Sequence, residues 1–313
     1  MKKWRIYTGL ALLWLCALGT RAQYDPSLTH YWMLQPQYNP AAAGTTEYLR
    51  VIGAYSAQMS GYDDAPATMY AGVDLPMFFV NPRHGLGLSF LNDEIGLFSH
   101  KRFSLQYAYR FKLFGGQLGF GVQGDMLNET FDGSKVDLEE SEDDVFATSE
   151  VNGSKIDAAF GLWYDHKNWY VGLSSQHLTA PTVKMGEKNQ IKVERSYYFT
   201  AGYNIQLRNP LLSIHPTAFA TYDGTEYKAI VSARLEYNND TKQLFAGGSY
   251  SPEHSAALFV GGRFHGVVLS YSYEAYTSGV GLEHGAHEVV LSYQHKLDLY
   301  KKGKNRHKSV RWL

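Results

Sequence analysis

The chain has 313 residues, with 29 Lys and Arg against 30 Asp and Glu, 24 Tyr, 16 Phe, 30 Gly and a single Cys. A net charge of −1 offers nucleic acid no general hold, and one cysteine leaves no Cys-ligated metal site. The aromatic and glycine content, with only 19% charged residues, is unusual for a soluble secreted enzyme of this size.

Lys2, Lys3 and Arg5 form a positive leader and residues 6–19 an apolar run, with Thr20-Arg21-Ala22 as a cleavage site. The pattern predicts a signal peptide over 1–22, cut before Gln23. The apolar run is shorter than the ~20 residues of a spanning helix, which argues against a membrane anchor. Cys16 lies inside the leader behind the bulky Leu15, so it is not read as a lipidation site, and the mature chain has no cysteine. Losing Lys2, Lys3, Arg5 and Arg21 takes the net charge from −1 to −5. After Gln23 no apolar run is long enough for a spanning helix. A helix bundle in the membrane is excluded, whereas a transmembrane β-barrel is not, because its alternation averages out in hydropathy.

Residues 23–47 carry Pro26, Pro36 and Pro40 and the apolar patch Tyr31-Trp32-Met33-Leu34, and show no strand period. The segment is expected to be ordered, either tucked into a barrel lumen or packed on the periplasmic rim.

Fourteen period-two segments follow, near 48–58, 66–75, 84–92, 100–111, 117–127, 155–164, 168–176, 195–206, 211–221, 226–237, 242–251, 255–264, 266–275 and 285–296. Their length suits tilted strands that cross a bilayer. In the fourth, Phe103, Leu105, Tyr107, Tyr109 and Phe111 alternate with Arg102, Ser104, Gln106, Ala108 and Arg110, so lipid takes the first set and the lumen takes the arginines. Arg234 falls on the lumenal side of the tenth. An Arg turned to lipid at the midplane costs about 2–4 kcal/mol, which fixes the register.

If both barrel ends lie in the periplasm, odd connections are extracellular and tend to be long, while even ones are short turns. Residues 128–154, 177–194 and 276–284 against 165–167, 207–210, 238–241 and 265 fit that rule. The second connection, 76–83, is long for a periplasmic turn, and 222–225 and 252–254 are short for extracellular loops. A soluble β-sandwich alternates too. The even strand count, the alternating loop lengths and the tyrosines at the ends of the apolar faces (107, 109, 197, 203, 237, 271 and 293) favour the all-β transmembrane barrel with its aromatic girdles.

Residues 128–154 hold nine acids against Lys135 and read as a solvated extracellular loop, with cation or basic-partner binding as the alternative. His284 and His287 form a tight His pair at a loop boundary beside Glu283 and Glu288, more readily polar loop residues than metal ligands. No nucleophile–base arrangement, phosphate loop or Cys ligand set stands out, so the chain reads as a non-enzyme without catalytic residues, cofactor or metal. The last residues, 297–313, form a basic periplasmic tail in which Lys301, Lys302, Lys304, Arg306 and Arg311 could meet an acidic partner.

The segment "QPQYNPAAAG", followed by "GLSFLNDEIGLFSHKRFSLQYAYRF", resembles the PorP/SprF family of outer-membrane proteins of the type IX secretion and gliding machinery. The likeness rests on Asn39-Pro40-Ala41 and Gly44, on Asn92-Asp93 with Gly96-Leu97, and on Tyr107-Ala108-Tyr109-Arg110. Ala42 stands where the family often has an aromatic, and the basic tail runs past the usual strand end. The resemblance implies a fourteen-stranded barrel in the outer membrane of a diderm bacterium. It also implies a non-enzymatic role: docking a periplasmic lipoprotein ring, or holding secreted surface proteins through their C-terminal sorting domains. Tyr31, Trp32, Asn39, Pro40, Gly44, Asn92, Asp93 and Gly96 are the candidate partner-binding residues beside the tail. The alternative is a general porin or solute channel, in which Arg102, Arg110 and Arg234 would form an anion-selective constriction.

Overall fold

The computed structural model describes residues 25–297 apart from 63, 78–82, 136–149, 187–188, 240–241, 253 and 278–283. The expected signal peptide, the centre of the acidic segment, Glu283 and the basic tail from residue 298 lie outside the described residues.

The strands are β1 Tyr48–Ala57, β2 Ala67–Pro76, β3 His84–Ile95, β4 Phe98–Leu113, β5 Gly116–Asp132, β6 Glu150–His166, β7 Trp169–Gln176, β8 Thr182–Met185, β9 Asn189–Lys192, β10 Ser196–Tyr203, β11 Ile205–Gln206, β12 Leu212–Tyr222, β13 Tyr227–Asn239, β14 Lys242–Ser251, β15 Ser255–Phe264, β16 Val267–Tyr276 and β17 Ala286–Lys296. All but β8 and β9 belong to one antiparallel sheet, closed by the pairing of β1 with β17. β10 and β11 are two pieces of one strand, broken at Asn204 and both paired with β12. The barrel therefore has fourteen strands, at the fourteen places where the sequence alternates.

Alternation sorts the side chains as expected. Phe103, Leu105, Tyr107 and Tyr109 are exposed on the outer surface, while Arg102 and Arg110 are buried inside. Tyr197, Tyr203, Tyr237, Tyr271 and Tyr293 also point outward. One end of the barrel carries the tight turns Phe114–Gly115, Lys167–Asn168 and His265–Gly266, together with the start of β1 and the end of β17. Phe114, Gly115, His265 and Gly266 all have positive φ, the conformation that two-residue hairpins require. This is the turn end; the opposite one is the loop end.

At the loop end β3–β6 run further than the sequence suggests, to 12, 16, 17 and 17 residues. Registered pairing joins Phe90, Phe103, Met126 and Ile156 into one outward row, and Asn92, Lys101, Asn128 and Ser154 into the next. The change from apolar to polar marks where the lipid band ends, and the sheet continues past it into water. The third connection thus shrinks to the turn Gly96–Leu97. Residues 128–132 and 150–154, expected in a loop, are strand, because inward Leu127, Glu129 and Phe131 remain buried. The seventh connection folds inward as the hairpin β8–β9, where Val183 and Val193 pack on Leu127.

Because the outward rows set the membrane boundary, Leu105→Arg is expected to destabilise the barrel by about 2–4 kcal/mol, and Ser154→Arg in the polar row to leave it nearly unchanged. Urea unfolding from phospholipid vesicles measures both; equal costs would misplace the boundary.

Candidate functional site

A fourteen-stranded barrel encloses more space than its own inward side chains fill, and here residues 25–44 occupy the interior. Leu28, Tyr31, Leu34, Tyr38, Ala41, Ala42 and Ala43 are each at most 1% exposed, although the segment has no strand period. It enters at the loop end, where Asp25 meets Arg102, and leaves at the turn end, where Gly44 meets Asp74 before β1 begins.

The wall is shaped for it. Register places Gly85, Ala108, Gly121 and Gly161 in one inward row across β3–β6, followed by Ser174 on β7. Residues 38–43 cross the strands along that row. A Cβ on Gly85 would overlap the carbonyl of Ala43, one on Gly121 the backbone of Pro40 and Ala41, and one on Gly161 the side chain of Asn39. Ser174 Oγ donates to Tyr38 O at 2.6 Å.

Asn39 and Pro40 make this path. Asn39 Oδ1 accepts from Ala41 N at 2.9 Å, capping the short 3-10 turn Pro40–Ala42, whose first residue suits the fixed φ of proline. Asn39 Nδ2 donates to the carbonyls of Leu162 at 2.9 Å and Leu173 at 3.3 Å, clamping the turn to β6 and β7. Gly44 has φ +63 and no room for a Cβ beside the Leu75 carbonyl. Its N–H donates to Asp74 Oδ2 at 2.9 Å, and its carbonyl, with that of Ala43, accepts from Arg110.

Two charged stations hold the loop-end half. Asp25 accepts from Arg102 at 3.0 Å and from the Tyr198 hydroxyl at 2.6 Å, and lies 3.1 Å from His177 Nε2. Asp157 stands 2.7 Å from the other nitrogen of His177. Burial pushes Asp25 up, but the Arg102 charge and the contacts with His177 and Tyr198 outweigh it and hold the carboxyl well below its usual range. Burial pushes His177 down, yet the Asp25 charge and the hydrogen bonds to Asp157 and Asp25 lift it to about 9. The second station is Glu288, which accepts from Thr29 N and His30 N at 2.9 Å each and lies 2.6 Å from His30 Nδ1. His30 Nε2 lies 2.7 Å from Ser270 Oγ. Each of these two histidines is sealed from solvent between protein partners, an arrangement that tethers the segment to the wall.

Of the residues singled out in the sequence, Tyr31, Trp32, Asn39, Pro40 and Gly44 come together in the lumen. Tyr31 is hydrogen-bonded to Thr217 and Ser232, and Trp32 lies under Arg234. Asn92, Asp93 and Gly96 lie apart from them, in the loop-end extension: Asp93 faces inward and accepts from Thr68 at 2.5 Å, Asn92 faces outward, and Gly96 forms the turn with φ +60. Lys301, Lys302, Lys304, Arg306 and Arg311 fall outside the described residues. Arg102, Arg110 and Arg234 face the lumen, but each is engaged by the segment, so they do not ring a common constriction. His287 turns outward to the Tyr271 hydroxyl at 2.7 Å, and His284 packs on Tyr62, while Glu288 points inward. Among the described residues no group of three or more His, Cys, Asp or Glu could hold a metal ion.

Asp25, His30, Glu129, Asp157 and His177 did not stand out in the sequence. Glu129 is fully buried against His100 rather than solvated in the acidic segment. The signal was present for Glu288 and Asp157, acids at the inward positions of alternating strands; a lone Asp25 in an aperiodic stretch gave none.

A model of the family described as "Type IX secretion system membrane protein PorP/SprF" matches residues 20–293. No curated protein matches the chain. Among solved structures, the Ralstonia pickettii toluene transporter TbuX is similar at 12% identity and TM-score 0.52, over 83% of this chain and 92% of that one. The CymD monoaromatic hydrocarbon channel is similar at 12% identity and TM-score 0.53, over 89% and 95%. At such identities the likeness is one of fold.

Two outcomes test the tether. Arg102→Ala leaves Asp25 buried with a cation removed, and is expected to cost about 3–5 kcal/mol in urea unfolding. His177 has its folded pKa raised from 6.5 to about 9, so its contribution is complete below 6.5 and disappears as pH rises through about 9. The stability gap between the unaltered protein and His177→Gln should close over that range; a gap independent of pH would remove His177 from the tether.

Proposed function

This chain belongs to the PorP/SprF family of type IX secretion system membrane proteins, and from that premise we propose that it is a non-enzymatic docking component of the outer-membrane secretion machine. In this reading the signal peptide is removed, the turn end and the basic tail 297–313 face the periplasm, and the loop-end extension of β3–β6 faces outward. The turn end and its tail meet a periplasmic lipoprotein ring through charge complementarity. The extension beyond the lipid band, with Asn92, Gly96 and the acidic segment, is the surface offered to secreted proteins that carry C-terminal sorting domains.

The observation that carries the proposal is the tethered segment in the lumen. A solute channel needs a wetted path, and in this barrel the path is taken by residues 25–44, stitched to both ends of the wall. A role exercised at the two ends is compatible with that filling. The hydrocarbon channels named above share the fold and support the alternative of a solute channel only at that level.

Affinity purification of the tagged protein from native outer membranes after mild crosslinking tests the proposal. Recovery of periplasmic ring lipoproteins, or of a surface protein ending in a sorting domain, is expected. Recovery of the barrel alone, with secretion intact in a deletion strain, would contradict it.

A further inference from the structure

At the turn end the lumenal segment leaves two cavities beside the wall. A cavity of about 270 Å³ lies beside Trp32, bounded by Tyr170, His215, Thr217 and Arg234, with Asp165 and Lys167 at its mouth. A second lobe of about 140 Å³ lies on the other side, bounded by Trp32, Arg50, Arg234, Glu236 and Ser292. Trp32 and Arg234 are the residues common to both.

Arg234 stands over the Trp32 ring, its guanidinium carbon 3.8 Å from the ring centroid, and its side chain is 13% exposed. Its Nε is ion-paired with Glu236 Oε2 at 3.5 Å but makes no hydrogen bond among the described residues. The indole Nε1 of Trp32 is buried without an acceptor as well. Both groups can only donate, and buried donors left unmade cost more than their bonds are worth. The cavity thus has a guanidinium stacked on an indole in its wall, beside Tyr170.

The other charges narrow the choice. Arg50 is taken by Asp74 at 2.8 Å and by the Met33 carbonyl at 3.1 Å. Glu236 is shared between Arg234 and His215 Nε2, 3.6 Å away, and Asp165 and Lys167 both line the larger cavity. Two carboxylates so near disfavour a doubly charged phosphate. A planar monoanion can pair with a guanidinium edge, and about 270 Å³ lined by Trp32 and Tyr170 has room for a small apolar body behind it.

We propose that the turn-end cavity is a binding site for a carboxylate carried on a small apolar or aromatic body, held by Arg234 and Trp32. The inference goes beyond the secretion role and does not depend on it. Such a group is presented both by the C-terminal residue of a polypeptide and by a free small acid.

The test uses the purified full-length protein in detergent micelles, with calorimetry and tryptophan fluorescence as readouts. Phenylacetate and phenylacetamide form one pair of probes, N-acetylphenylalanine and its amide the other. Saturable binding of at least one acid is expected, with its amide about tenfold weaker or more, the loss that follows from one charged hydrogen bond. Arg234→Gln should weaken the acid by a similar factor, and Trp32→Phe by a smaller one. Preference for N-acetylphenylalanine over phenylacetate would support the site and identify a chain terminus as its natural source; the reverse would support it with a free acid. Equal binding of acid and amide, or no saturable binding of either acid, would overturn the proposal. That comparison is made on the unaltered protein and holds even if Arg234→Gln fails to fold.

Discussion

The contact on which the rest of this structure depends is that between the backbone of residues 38–43 and the inward row Gly85, Ala108, Gly121 and Gly161. Side chains on that row would hold the segment away from the wall. With only Gly and Ala there, backbone meets backbone, and the side-chain amide of Asn39 reaches the strand carbonyls of two neighbouring strands. The close approach also explains why a proline and three alanines follow Asn39: a stiff, compact segment fits a shallow track that bulky side chains would not. What enters the lumen is thus dictated jointly by the segment and by four strands far away in sequence.

Electrostatics then decides the register of the segment along the barrel axis. At the loop end Asp25 sits among Arg102, His177 and Tyr198, and Thr29 and His30 converge on Glu288; at the turn end Arg110 and Asp74 bracket Gly44. Buried ionic groups contribute little net stability, because desolvation offsets their attraction, but a misplaced one is expensive. Here that asymmetry selects a single threading. Slipping the segment by one residue would take Asp25 from Arg102, His177 and Tyr198, and Thr29 and His30 from Glu288, at once. The lumenal segment is accordingly joined to the barrel wall at both ends of the lumen.

Much of this was legible in the chain. Strict alternation in segments such as 100–111 and 226–237 gave the strands and which way each faced, because a period of two survives tertiary context when one face meets lipid. The strand ends were harder. Past Phe90 and Phe103 the outward residues turn polar, so the alternation that identifies a lipid-facing strand vanishes while the hydrogen-bonded ladder continues. The β8–β9 hairpin escaped notice because its four-residue strands leave too short a pattern. The Asn39-Pro40-Ala41 stretch could be recognised as special, but its seat could not, since glycines scattered over β3, β5 and β6 become a row only through the register of pairing. The partners that the segment offers the lumenal arginines, the Asp25 carboxylate, the Trp32 ring and the carbonyls of Ala43 and Gly44, carried no pattern.

The central claim is that residues 25–44 close the barrel as an integral part of its fold. Single-channel conductance of the purified full-length protein in planar bilayers tests it most directly. The account predicts a silent membrane at neutral pH, with no stepwise currents of porin size. Stable open-pore currents from the correctly folded, unaltered protein would contradict it and return the lumen to the role of a solute path.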